Sequence, residues 1–234
     1  MAPKSIVELI PWDPESPSHV QRMLLQRQEC GWDSDKVEPK WRDQQRSGGK
    51  CIYWLVLSSK DQESEGKLQL HLSTYEYEQV ALQDTSSSIR GVARTASQAS
   101  FYPIGHISLD SVNADIEGID LDLPGEGVYW VKTFYVSRAL QSKGLGRAAM
   151  DIAESMAIEE PLCATILALD TRHRDTQIEE EKFMSGGQEP SGITSEEWYT
   201  RRGYRVIKVV ENYYPVPPGY TAENRTVFMR KNVL

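Results

Sequence analysis

Residues 129–157 read YWVKTFYVSRALQSKGLGRAAMDIAESMA, and the reading of this stretch decides the fold. Trp130, Val131, Thr133, Phe134, Tyr135 and Val136 are β-branched or aromatic and predict a buried strand. Ser137–Lys143 reads as a loop, which leads to Gly144-Leu145-Gly146-Arg147. From there Ala148, Ala149, Ile152, Ala153, Met156 and Ala157 recur at helical spacing. Strand, glycine loop and helix N-terminus in that order make an anion cradle. The first backbone N–H groups of a helix lack intrahelical partners, and the helix dipole adds about half a positive charge there. Gly144 and Gly146 let a phosphate approach the backbone, and Lys143 and Arg147 add cationic side chains. The stretch predicts a phosphate-bearing ligand.

Composition narrows the partners. The chain has 234 residues, 39% hydrophobic and 26% charged, which predicts one globular domain rather than two. Its formal net charge of −8 argues against nucleic acid and anionic membranes, both of which select a basic face. Cys30, Cys51 and Cys163 are odd in number, far apart and without a CxxC pair. They read as reduced thiols of an intracellular protein, with Cys51 and Cys163 as small core residues in apolar strand runs. Neither an N-terminal apolar h-region nor an apolar run of membrane-spanning length occurs, so no secretory signal and no membrane span are expected.

Outward from the central stretch, the chain alternates strands and helices. Ser5–Ile10 predicts a first strand, and Ser18 a cap for a helix from about His19 with Val20, Met23 and Leu24 on one face. Val37–Arg46 reads as a second helix; Trp32 and Trp41 would pack this pair onto a sheet or wall an acceptor pocket. Cys51–Ser58 is continuously apolar, as in a central strand covered on both faces. Leu68, Leu70 and Leu72 alternate with polar residues and predict an extra half-buried strand. Asp84–Ser100 reads as a long exposed loop, flexible unless a partner or ligand orders it, Pro103–Asp110 as a strand, and Gly118–Gly127 as an acidic turn. Downstream, Cys163–Leu169 predicts a buried strand, and Arg172–Gly192 a solvated loop or a lid. Thr194–Glu197 fits a capping box that starts a short helix, and Tyr204–Glu211 and Thr226–Lys231 form a closing antiparallel pair. The order predicts an α/β sandwich around one mixed sheet.

Gly144-x-Gly146-x-x-Ala149 also fits a dinucleotide fingerprint, with Asp170 near the place of a ribose-binding acid. Spacing counts against it. A dinucleotide site needs its first glycine directly after the strand, whereas a seven-residue loop, Ser137–Lys143, separates Val136 from Gly144. A phosphate-loop nucleotidase is weaker still, since no G-x-x-x-x-G-K-[ST] occurs.

That same interval, with Gln141-Ser142-Lys143-Gly144-Leu145-Gly146, resembles the Q/R-x-x-G-x-G/A acyl-CoA motif of the GNAT superfamily of N-acetyltransferases. Trp198–Tyr204 (WYTRRGY) resembles that family's [FW]-Y-x-x-x-G-[FY] segment. The motifs cover about Val128–Lys231; before that the likeness lies in the order of elements. The resemblance implies a GNAT-like acyl-CoA N-acyltransferase fold, a central mixed, mostly antiparallel sheet flanked by helices. It further implies a single domain, 1–234, with insertions at about 60–100 and 172–192.

In such a fold the strand carrying Phe134, Tyr135 and Val136 splays from its neighbour. Acetyl-CoA would lie in the notch, its pantetheine paired to the main chain of Phe134 and Val136. Its pyrophosphate would rest on the segment Gln141, Ser142, Lys143, Gly144, Leu145, Gly146 and Arg147. Tyr199 matches the family tyrosine that protonates the departing CoA thiolate. The acceptor amine would attack directly, and its proton needs a base, for which Asp170 and His106 are candidates that the resemblance does not assign. The implied partners are acetyl-CoA, without a metal, and a small-molecule or peptide amine, in a cytoplasmic or nuclear monomer or homodimer. Two rival readings stand beside this one: a non-catalytic acyl-CoA-binding module and a nicotinamide-dinucleotide-binding protein. Departures from the family pattern are Gly192 and Ile193 where an asparagine is common, and Arg138 where a proline is common.

Overall fold

The computed structural model describes residues 5–190, 192–216 and 218–233. Ser191 of the expected Arg172–Gly192 loop or lid, and Pro217 between the two closing strands, lie outside the described residues. The chain divides into two compact units, Met1–Asn113 with Trp130–Glu160, and Ala114–Tyr129 with Pro161–Leu234.

The first unit begins with β1 (Val7–Pro11), α1 (Pro17–Cys30), a π-helical turn at Val37–Trp41 and α2 (Arg42–Ser47). Next come β2 (Ile52–Leu57) and α3 (Ser64–Thr74), then four two-residue strands: β3 (Leu82–Gln83), β4 (Ser88–Ile89), β5 (Val92–Ala93) and β6 (Ser100–Phe101). It closes with β7 (Pro103–Asp110), β8 (Val128–Val136) and α4 (Leu145–Ile158). β1, β2, β7 and β8 pair in that order, each antiparallel to the next. The helix over α1 starts earlier than expected. Pro17 takes its first turn, with φ already set for helix, so Ser16 rather than Ser18 stands at the N-cap. Trp12, Met23, Val37, Trp41, Ile52 and Trp54 fill the core between these helices and β2.

Two expectations fail in this unit. Leu68, Leu70 and Leu72 lie on a helix, not on a strand. The stripe that α3 buries runs through Lys67 and His71, one turn apart, while Leu70 is exposed. Polar residues carry the helical period, so the leucine alternation misleads.

Residues 84–100 are also ordered rather than flexible. Asp84 is buried, and both its oxygens accept from the Arg94 guanidinium, at 2.6 and 2.9 Å. The amide of Ser97 donates to it at 3.0 Å and the Ser97 hydroxyl at 2.7 Å. Charge-assisted bonds replace the hydrophobic pattern that a sequence scan detects. Arg94 above all holds the Asp84 carboxyl below the ordinary range. Its stabilisation is therefore present above about pH 4 and is lost as pH falls through the depressed value. Asp84→Asn is expected to lower the unfolding free energy at pH 7 by about 2–3 kcal/mol. Denaturant titrations at neutral and acid pH check this, and a variant as stable as the parent at pH 7 would remove the network from the account.

The second unit holds β9 (Ile166–Arg172), α5 (Arg174–Met184), α6 (Ser195–Arg201), β10 (Arg205–Glu211) and β11 (Arg225–Asn232). Here β9, β11 and β10 pair antiparallel in that order, and the last two form the expected closing pair. Thr194 and Glu197 complete the expected capping box at the start of α6. The segment after Arg172, expected as a solvated loop, is largely the helix α5. His173 caps it by accepting the Asp175 amide at 3.2 Å, and Glu180 on its buried side pairs with Arg172 at 3.0 Å. Cys163 is exposed at φ 45° and precedes the strand, so it is not a core residue; Cys51 is buried as expected. Both units are helix-flanked antiparallel sheets, the α/β class read from the sequence. Among the described residues no helix is long and apolar enough to cross a membrane.

Candidate active site

In the first unit the ten residues read as a cofactor cradle are brought together by β8, the turn after it and the start of α4. β8 does not run regularly into this turn. His106 lies opposite Tyr135 and Ser108 opposite Lys132, so Thr133 and Phe134 together face Ile107. This is a β-bulge, and Thr133 sits in it at φ 47°, a left-handed conformation rare for a β-branched residue. Beyond the bulge the strands come close. A Cβ on Gly105 would lie 2.1 Å from the Tyr135 carbonyl oxygen, which only a residue without one avoids.

The turn is anchored at both ends and open between. Leu140 and Leu145 are fully buried, whereas Gln141, Ser142, Lys143 and Gly144 are exposed. Ser142 (φ 63°) and Gly144 (φ 79°) are left-handed, and Gln141 between them and the strand is extended. Gly144 is the N-cap of α4, and the first helical bond is donated by Ala148 to the Gly144 carbonyl at 3.1 Å. The amides of Leu145, Gly146 and Arg147 therefore have no acceptor within the helix. The Gln141 side chain donates to the Val136 carbonyl at 3.3 Å and ties the turn to the end of β8. A Cβ on Gly146 would make ordinary van der Waals contact with Phe134 Cζ at 3.7 Å, so the start of α4 lies directly against the strand. Arg147 and Lys143 are exposed cations at its rim. An elongated anion with two phosphates fits this arrangement.

Ser137, at the junction of β8 and the turn, is fully buried. Its amide donates to the Ile104 carbonyl at 2.8 Å, and its hydroxyl lies 2.9 Å from His71 Nδ1. α3 thus pins the base of the cradle. His106 is a core histidine. Its Nδ1 donates to Gln26 at 2.9 Å, Nε2 faces the Arg27 guanidinium at 3.4 Å, and its ring meets Trp54 and Tyr135. Burial, then the charges of Arg27 and Lys50, push its pKa well below the ordinary value, which keeps it neutral and engaged.

The two residues read as catalytic belong to the second unit. Tyr199 lies on α6, half-buried, its ring edge-on to Trp198 (5.0 Å) and Tyr204 (5.7 Å). Asp170 lies on β9, also half-buried, and accepts a hydrogen bond from the Tyr214 hydroxyl. α6 packs against β9, so one unit presents both.

Sequence reasoning missed a buried polar row beside the bulge. On β7, His106, Ser108 and Asp110 point to one face, while Ile107 and Leu109 point to the other. A polar period of two inside an apolar strand was the available signal. Lys50, which precedes β2, reaches this face: its Nζ lies 2.7 Å from Asp110 Oδ2 and 3.1 Å from Ser108 Oγ. Thr133 Oγ1 completes the row by donating to Ser108 Oγ at 2.8 Å.

Residues 52–178 match a family model described as acetyltransferase (GNAT) family. No curated protein sequence matches the chain significantly. Among solved structures, NAA60 of Arabidopsis thaliana in complex with a bisubstrate analogue is 12% identical, with 97% of each chain covered and a TM-score of 0.54. The same protein in complex with acetyl-CoA is 11% identical, with 97% of this chain and 98% of that chain covered and a TM-score of 0.52. A chimera of spermidine N-acetyltransferase SpeG from Vibrio cholerae and hSSAT is 10% identical, with 98% and 96% covered and a TM-score of 0.55. At these identities the three share a fold with this chain.

Proposed function

The chain belongs to the acetyltransferase (GNAT) family, and from that premise we propose that it transfers the acetyl group of acetyl-CoA to a primary amine within a ternary complex. The observation that carries this reading is the cradle. Its exposed left-handed turn and the N-terminal amides of α4, which have no acceptor within the helix, fit the two phosphates of coenzyme A, and Lys143 and Arg147 add charge. The carbons and sulfur follow from the chemistry. The amine nitrogen bonds to the thioester carbonyl carbon, the carbon–sulfur bond breaks, and the thiolate takes a proton. Tyr199 is the proposed donor of that proton. Phe134, Tyr135 and Val136 would hold the pantetheine arm along β8, and positioning of the two substrates would supply much of the rate. Asp170 remains a candidate on the acceptor side, although its carboxylate already accepts from Tyr214.

Amine acceptors are the substrate class, and the structural neighbours named for acetylating an amine support it. The test is thiol release from acetyl-CoA against panels of polyamines, amino sugars and peptides with free N-termini or lysines, with mass detection of the product. Amine-dependent thiol release with an acetylated product is expected. Binding of acetyl-CoA without transfer to any class would support a non-catalytic acyl-CoA module instead.

A further inference from the structure

An ammonium acceptor cannot attack a thioester until it has lost a proton, and at neutral pH an amine with a pKa near ~10 is almost wholly protonated. We propose that Thr133, Ser108, Lys50 and Asp110 form a proton relay that takes this proton from the acceptor. The inference rests on the acetyl-transfer reading above and adds to it a route for the proton. The four side chains follow one another without a gap, at 2.8, 3.1 and 2.7 Å. Ser108 is 0% exposed, Lys50 5% and Asp110 4%, while Thr133 at the end of the row is half-buried. The outer end is thus the bulge residue of the strand proposed to hold the acyl chain.

A purely structural role leaves features without a reason. A buried lysine and aspartate stabilise a fold less than apolar residues of the same size would. One oxygen of the pair, Asp110 Oδ1, is buried and has no hydrogen-bond partner among the described residues. Thr133 is held in a strained conformation that glycine or asparagine would adopt more easily. The groups facing Lys50 set its state. Asp110 and His106 come from β7, Arg27 from α1, Lys132 from β8, and the Trp41 ring lies 4.9 Å from Nζ. Burial lowers the Lys50 pKa most, the charge and hydrogen bond of Asp110 oppose it, and Lys132 and Arg27 lower it further; the balance falls below the ordinary lysine value, which eases release of the proton. Nζ donates to Asp110 Oδ2 at 2.7 Å and to Ser108 Oγ at 3.1 Å, so the ammonium gives the carboxylate a proton as it takes one from Ser108.

The transfer balances atom by atom. The acceptor N–H bond breaks as Thr133 Oγ1 gains the proton. Thr133 passes its own proton to Ser108 Oγ, Ser108 passes its own to Lys50 Nζ, and Lys50 in the same movement passes one to Asp110 Oδ2. What remains is a free amine, two intact hydroxyls, the Lys50 ammonium and a protonated Asp110 carboxyl. No electrons change hands. After product leaves, the same hydroxyls return the proton to solvent.

Ser108→Ala removes the middle hydroxyl and leaves the ion pair, and Thr133→Val removes the outer hydroxyl without changing shape or branching. Each variant is to be assayed for kcat and for the KM of acetyl-CoA from pH 6 to 10, with melting curves as the check on folding. Both should lose about a hundredfold in kcat at pH 7, with KM and melting temperature close to the parent. The deficit should shrink toward high pH, where solvent delivers free amine. The double variant should lose no more than either single one, because both break the same path. Parental kcat in both single variants, a deficit equal at every pH, or losses that multiply would each overturn the relay. A parent chain that transfers no acetyl group in the acceptor panel would instead overturn the function reading, and the relay with it.

Discussion

Gly144→Glu should abolish the rise in melting temperature that acetyl-CoA gives the parent protein. Two physical effects add. Gly144 holds φ at 79°, and a residue with a Cβ is strained there by about 1–2 kcal/mol. The introduced carboxylate would also stand among the amides proposed to receive the pyrophosphate. A like charge at about 4 Å is repelled by ~1 kcal/mol in bulk water and by ~4 kcal/mol near a protein surface. Together these predict an affinity loss of about a thousandfold or more. Gly144→Asn separates the two, since asparagine tolerates the left-handed conformation and brings no charge. That variant should retain most of the thermal shift. An undiminished shift in the glutamate variant would remove Gly144 from the cofactor site.

Tyr199→Phe should lower kcat by about a hundredfold or more while leaving the affinity for acetyl-CoA near the parental value. The substitution deletes one oxygen. It keeps the ring that meets Trp198 at 5.0 Å and Tyr204 at 5.7 Å, so α6 should stay in place. A purely structural tyrosine would show its loss in the melting temperature instead, with turnover unchanged. The two measurements therefore move in opposite directions for the two roles. An unaltered kcat would remove Tyr199 from the mechanism.

The legible and illegible parts of this chain differ in what holds them. The cradle was legible because apolar periodicity marks β8 and α4, and two glycines mark the turn between them. The capping box of α6 was legible because Thr194 and Glu197 interact within four residues. α3 was not, since Lys67 and His71 carry its buried face. The order of 84–100 was not, since it hangs on Asp84 meeting Arg94 and Ser97 across the loop. α5 looked like a solvated loop because its buried residues, Thr176 and Glu180, are polar and meet the Glu223 carbonyl and the Arg172 guanidinium rather than an apolar face. The bulge was hidden for a further reason: threonine predicts regular strand, and the pairing of β7 with β8 overrides that preference.

The strained backbone at Thr133 bears on how this protein would respond to engineering. A left-handed β-branched residue costs on the order of 1–3 kcal/mol, which is a sizeable share of a typical domain's margin over unfolding. A library ranked by heat resistance would therefore favour glycine or asparagine at 133. On the proposed relay, the winners of such a ranking would be sturdier proteins that turn over slowly. Selection for endurance and selection for speed would pull this one position toward different amino acids.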